Sequence, residues 1–225
     1  MTVSVIIPTL NEAKGIGATL DALFRLKGKA ELIAVDGGSA DRTVVILQER
    51  GVQVIRTAAG RGIQLHAGAC LALGDILWFL HADTRPPVDA LEHILEALHD
   101  PAVIGGNFAL CFDGGTRPAN LLTRMYPHFR KLGLVYGDSG IFVRRSAYEQ
   151  AGGFAPYPIF EDLDLVRRAK RLGRFVHLPC QLVTSSRRFE GRSFTWTFAR
   201  WVVMQVLYWG GVNPNALGRM YDRTR

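Results

Sequence analysis

The first hundred residues alternate short runs rich in β-branched residues with stretches of helical spacing, and nothing else in the chain narrows the fold as much. Val3–Pro8 (VSVIIP), Glu31–Asp36 (ELIAVD), Val52–Arg56 and Asp75–Leu80 (DILWFL) read as strands, bounded by turn residues. Glu12–Arg25, Asp41–Arg50, Ile63–Leu73 and Val88–His99 read as helices, with Asp41 as a cap. Strands alternating with helices predict βαβ units and a mostly parallel sheet covered on both faces, an α/β fold. Ligands of such sheets bind beyond the carboxyl ends of the strands. Three polar, carboxylate-bearing clusters fall at those ends: Thr9-Leu10-Asn11-Glu12, Asp36-Gly37-Gly38-Ser39 and His81-Ala82-Asp83-Thr84. Any one of them also suits an ordinary capped turn. The three together predict a binding edge.

The second half is less regular. Val103–Phe112, Asp138–Val143, Phe175–Leu178 and Leu182–Ser185 read as strands; Pro118–Lys131, Ser146–Ala151, Ile159–Leu172 and Arg192–Trp209 read as helices. The helix holding EDLDLVRRAKRL starts acidic and ends basic, as the helix dipole favours.

Composition sets the outer limits. A chain of 225 residues suits one large α/β domain. With 48% apolar and 21% charged residues, long disorder, collagen and a disulfide scaffold are excluded. The net charge of +7 is uneven: residues 1–100 carry 9 basic and 12 acidic side chains, residues 101–225 carry 18 and 8. The excess, including Arg117, Arg124, Arg130, Lys131, Arg144 and Arg145, predicts a basic face in the second half, suited to phosphates or anionic headgroups. Cys70, Cys111 and Cys180 are scattered, without CxxC, which fits a reducing cytosol better than disulfides or a zinc site. MTVSVIIPTLNE has no basic leader, so it does not read as a signal peptide. Phe194–Val212 is apolar but interrupted by Arg200 and Gln205, and does not read as a membrane span. Its aromatics leave two readings, a peripheral contact with the inner face of a membrane or packing on the domain or on a second subunit.

Six segments, in order, resemble the family 2 glycosyltransferases of the GT-A fold: VSVIIPTLNE (3–12), VDGGSADRT (35–43), GRGIQLHAGA (60–69), LHADTRP (80–86), GGF (152–154) and EDLDL (161–165). The resemblance covers roughly residues 1–190, with 191–225 as a helical tail. It implies an inverting, metal-dependent transfer of a sugar from a nucleoside diphosphate donor, UDP- or GDP-linked, to a hydroxyl acceptor, which lipid linkage would also suit.

The matching positions carry roles. Pro8, Thr9 and Glu12 would cradle base and ribose, although Glu12 also suits first-turn helix charge. Asp36 would accept a base N–H. Arg61, in the Gly60-Arg61-Gly62 turn, would neutralise pyrophosphate. Asp83 matches the last Asp of the family's DxD and would hold a divalent cation, Mn or Mg. Here His81 replaces the first Asp, which leaves metal identity open, and His81 would face the sugar or lie beside the metal. Asp162 matches the general base, its basicity raised by burial beside Glu161 and Asp164. Asp138 would meet sugar hydroxyls or form a turn. Arg188 would steady the leaving diphosphate or sit in a solvated loop, and the QxxRW motif of processive members is missing. Two other classes compete: an inactive GT-A-like scaffold, motivated by His81, and a basic nucleic-acid-binding module. No nucleic-acid motif supports the latter, and nucleotidyl transfer would need a Gly-rich basic loop where PTLNE stands.

Overall fold

The computed structural model describes residues 1–187 and 194–222. Its strands are β1 (Val3–Thr9), β2 (Ala30–Asp36), β3 (Gln53–Arg56), β4 (Ile76–Phe79), β5 (Thr84–Arg85), β6 (Val103–Phe112), β7 (Phe142–Arg144) and β8 (Arg174–Thr184). They form one sheet in the order β3-β2-β1-β4-β7-β6-β8-β5. The first four are mutually parallel, with Thr9 paired to Asp36. β7 runs antiparallel to both β4 and β6, and β5 runs antiparallel to β8.

Side-chain alternation builds two cores. Val5, Ile7, Trp78 and Leu80 face one layer, with Leu20 and Leu23 of α1 (Ile16–Phe24), Leu47 of α2 (Thr43–Glu49) and Ile94 of α4 (Ala90–Ala97). Ile6, Leu77 and Phe79 face the other, with Leu65 of α3 (Arg61–Leu71), Tyr148 of α6 (Arg145–Gln150) and Leu165 of α7 (Glu161–Ala169). A strand buried on both faces needs apolar residues at both parities, which is why the first strands read as near-continuous apolar runs. The first core extends to Phe108, Phe142 and Leu182 and so joins both halves. α5 (Arg117–Lys131) starts from a Thr116 cap, whose side chain accepts the Ala119 N–H, and packs on β6.

Several expectations need correction. Residues 137–139 form a short 3-10 turn, and the strand there starts only at Phe142, because Gly140 is left-handed at φ 61°. The two expected strands at 175–178 and 182–185 are one, β8, which pairs with β6 through a register shift between Asn107 and Ala109. Asp41 sits one residue before the formal cap of α2, yet its carboxylate still receives the Thr43 N–H at 2.9 Å. The tail holds a second helix, α9 (Pro214–Asp222), beyond the one read at Arg192–Trp209. It folds with α8 (Phe194–Trp209) onto the domain through a small third core of Phe160, Leu163, Met204 and Leu217. Part of the expected basic face is internal. Arg144 donates to the carbonyls of Val103, Leu98 and Asp100, Arg145 to those of Gly74 and Ala72, and Arg130 to that of Leu178.

Candidate active site

From β1 the chain leaves through α1 to β2 and then β3 on one side, and returns to β4 on the other side of β1. The strand order therefore reverses between β1 and β4, the place where open α/β sheets bind ligands. Their carboxyl ends deliver Thr9–Glu12 and His81–Asp83 to one edge.

The loops at this edge brace one another. The Asn11 N–H donates to Ser39 Oγ at 2.9 Å, and Asn11 Oδ1 accepts the Ala40 N–H at 2.9 Å, with Asn11 held at φ 55°. Gln64, buried on α3, donates through Nε2 to the carbonyls of Thr9 (2.9 Å) and Val35 (2.7 Å) and so clamps the ends of β1 and β2. Buried Asp36 accepts the N–H groups of Gly38 and Ser39 at 3.0 Å each, and the Ser39 hydroxyl. Its own turn thus takes three of a carboxylate's roughly four acceptor sites, and the Thr9 hydroxyl stands at the fourth, 3.5 Å from Oδ1 and 3.4 Å from the Val35 carbonyl.

Glu12 and Asp83 converge on Arg187. The Arg187 guanidinium lies 3.1 Å from Glu12 Oε2 and 3.9 Å from Asp83 Oδ2. Burial, and then the Asp83 carboxylate nearby, push the Glu12 carboxyl above its usual range. Two carboxylates and a guanidinium at a strand edge suit a cation and a phosphate chain. Among the described residues no group of three or more His, Cys, Asp and Glu side chains could by itself hold a metal ion.

Asp162 anchors the other end of the site. Phe160, just before α7, adopts a left-handed conformation at φ 62°, unusual for a bulky residue. Its ring is buried and stacks on Tyr208 of α8 at 4.7 Å, which holds the turn that starts the helix. Glu161 and Asp162 follow at the helix N-terminus, both buried. Asp162 Oδ2 accepts the Gly137 N–H at 2.6 Å and Oδ1 accepts the Leu163 N–H at 2.7 Å. Burial, and then the neighbouring Glu161, push the Asp162 carboxyl up to about 6. Asp164, for its part, pairs with Arg168 at 2.7 Å. Gly137 must stay small: a Cβ there would stand 2.9 Å from His81 Nε2 and 3.3 Å from Asp162 Oδ2.

Between the two ends, His81 Nδ1 meets Asp138 Oδ1 at 2.9 Å. Arg61 Nε pairs with Glu161 Oε1 at 2.6 Å, which turns this guanidinium toward the Asp162 end. Asp162, Asp138 and Arg61 then border a cavity of 330 Å³. The rest of its wall comes mainly from apolar residues of β6, α5 and α8.

The expected site residues thus gather at one edge in two groups: Pro8, Thr9, Glu12, Asp36 and Asp83 at the strand ends, and Arg61, His81, Asp138, Glu161 and Asp162 around α7. Arg188 lies outside the described residues. Sequence reasoning missed the clamp by Gln64, although it stands inside the GRGIQLHAGA segment, and it did not single out Arg187. It also missed the Gly137 amide, which no spacing rule connects to Asp162.

A parallel nucleotide-type sheet with a reversed strand order, a mixed second half and carboxylates at the switch point defines the GT-A class of fold, and solved structures agree. TarS residues 1–349 from S. aureus, in complex with UDP, match at TM-score 0.68 and 17% identity, over 82% of this chain and 60% of that one. Glucosyl-3-phosphoglycerate synthase from Mycobacterium tuberculosis, in complex with Mn2+, UDP and glucosyl-3-phosphoglycerate, matches at TM-score 0.67 and 22% identity, over 94% of this chain and 81% of that one. Residues 4–150 match the family described as glycosyl transferase family 2, and the chain belongs to that family. The 4,4'-diaponeurosporenoate glycosyltransferase of Staphylococcus haemolyticus is 26% identical over 215 residues, 86% of this chain and 55% of that relative. The chain therefore spans about half the length of this relative.

Proposed function

We propose that this chain transfers a sugar from a nucleoside diphosphate sugar to a hydroxyl acceptor with inversion at the anomeric carbon, and that Asp162 is the general base. The observation that carries this reading is the state of Asp162: buried at a helix N-terminus, held through both oxygens, raised to about 6, and bordering a cavity large enough for an acceptor. A base of that strength is ionised at neutral pH and takes a proton more readily than an ordinary carboxylate. The acceptor O–H gives its proton to Asp162 as its oxygen bonds to the anomeric carbon. The bond from that carbon to the diphosphate breaks, and the electron pair leaves with the nucleoside diphosphate.

The strand-end group serves the donor. Asp36 accepts a base N–H when the Thr9 hydroxyl turns from it to the Val35 carbonyl, which suits UDP or GDP. Glu12 takes the ribose, and Arg187, with its neighbour Arg188, takes the diphosphate. His81 orients Asp138 toward the sugar. The donor set fits a divalent cation in company, since Mg or Mn accepts one carboxylate when phosphate oxygens and waters complete its shell. Asp83 would hold that ion, which would supply charge neutralisation of the leaving diphosphate. The M. tuberculosis synthase solved with Mn2+ and UDP supports this part of the reading. No helix among the described residues is long and apolar enough to cross a membrane. The exposed Trp196, Val203, Val206 and Trp209 of α8 support a peripheral contact with lipid.

Calorimetric titration of UDP and GDP, with and without Mn2+, tests the donor site. One nucleotide is expected to bind in the presence of the metal, and Asp83→Ala is expected to weaken that binding at least tenfold, roughly 1.4 kcal/mol. Failure of both nucleotides to bind under either condition would favour the inactive scaffold.

A further inference from the structure

The cavity that Asp162 borders is far more apolar than a sugar or a phosphorylated small acid would require. Its volume is 330 Å³, and α5, α8 and the end of β6 line most of it. Leu122 and Phe129 project from α5, and Trp201, Met204 and Trp209 from α8. Among the described residues that line it, the charged ones are Asp162, Asp138 and Arg61. A sugar acceptor bound here would leave its hydroxyls facing carbon, at a cost of about 1–3 kcal/mol for each one left without a partner.

A second observation points to an occupant. Gln205, 6% exposed, lines the same cavity. Its Oε1 accepts the Tyr136 hydroxyl at 2.9 Å, while its buried Nε2 has no partner among the described residues. A buried amide donor left open in an apolar wall is costly unless a ligand oxygen meets it. Trp209 and Val206 line the cavity and are also 62% and 55% exposed, so the cavity reaches the surface at the apolar face of α8.

We propose that the acceptor is an amphiphilic alcohol: its hydrocarbon body lies between α5 and α8, its hydroxyl is presented to Asp162, and Gln205 Nε2 donates to an oxygen near that head. This deepens the proposed transfer and rests on it for the word acceptor. The apolar site itself does not depend on donor binding.

The test uses the full chain and a series of 1-alkanols, hexanol to dodecanol, followed by tryptophan fluorescence and calorimetry without nucleotide. Binding is expected to be saturable at one alcohol per chain. Affinity should rise about fourfold per added methylene and level off once the cavity is full. Leu122→Trp, which fills the α5 side, should weaken decanol at least tenfold while leaving Mn2+–nucleotide binding intact, the readout that shows the variant is folded. Should that variant not fold, the one-to-one saturation and the chain-length plateau of the wild type decide alone. Unsaturable binding, several sites per chain, or a chain-length series with no plateau would overturn the proposal. So would a folded Leu122→Trp that binds decanol as well as wild type, or a dimer in sedimentation that alcohols do not enter. Nucleotide binding without alcohol binding would remove this inference and leave the transfer standing. Alcohol binding without nucleotide binding would remove the transfer, and the cavity would remain an apolar ligand site.

Discussion

The two halves of the molecule do different work with different materials. Residues 1–100 carry an acidic excess and form parallel strands whose ends present Thr9, Glu12, Asp36 and Asp83 on short, mutually braced loops. Residues 101–222 are basic and form two long strands and one short one of mixed direction, helices that line an apolar cavity, and one buried carboxyl bordering it. The first half offers charge and backbone at a sheet edge, which suits a nucleotide. The second offers shape and a raised carboxyl, which under the proposed function serve an acceptor. A sheet edge fixes a common recognition task, while the packed helices beyond it are free to vary in what they enclose.

If the halves are one cooperative unit, the largest effect should follow from breaking the seam between them. Trp78 on β4 is fully buried and stacks on Phe108 of β6 at 5.4 Å. Trp78→Ala is expected to cost about 3–5 kcal/mol, read by urea unfolding, with fluorescence and circular dichroism still coincident. Separate transitions for the two halves would break the comparison into two domains.

A second seam is steric. Gly62, at the start of α3, lies so close to the Ala155 carbonyl that an added Cβ would overlap it. Gly62→Ala should cost about 1–3 kcal/mol by thermal unfolding and should weaken nucleotide binding by shifting α3 and Gln64. An unchanged melting temperature would show that the two halves slide freely at this point.

A smaller effect concerns pH. The Asp162 carboxyl has an ordinary value of 3.8 and a folded value of about 6. Between the two, the folded chain keeps a proton that the unfolded chain has released. The group therefore stabilises the fold at low pH, and that contribution is lost as pH rises through about 6. From about pH 7.5 to about pH 5, wild type should gain about 1 kcal/mol or more relative to Asp162→Asn in paired melts. Transfer should show the opposite course, rising with pH through about 6 as the base ionises. Identical pH responses in the two proteins would remove the raised value.

The first half was legible because its signals are local. β1, β2 and β4 match their expected spans within a residue or so at most ends, since strands buried on both faces leave near-continuous apolar runs bounded by Gly, Asp and Ser. The place of Asp36 was legible for the same reason, as a polar residue ending such a run. In the second half, long-range contacts decide the outcome. β8 reads as two strands because Pro179 and polar neighbours interrupt it, yet pairing with β6 carries it across the register shift. The apolar cavity could not be read from α5 and α8 separately, because each looks like an ordinary amphipathic or aromatic helix. The raised carboxyl of Asp162 agrees with the expectation of burial beside Glu161, but the Gly137 amide that holds it, and the pairing of Asp164 with Arg168, exist only in three dimensions.

The most direct measurement follows nucleoside diphosphate release from the donor sugar that calorimetry selects, in wild type and in Asp162→Asn, beside nucleotide affinity for both. The division of labour expects release to fall about 10²–10⁴-fold in Asp162→Asn, with nucleotide and Mn2+ binding unchanged. Release that persists in Asp162→Asn, or affinity that falls together with release, would contradict it.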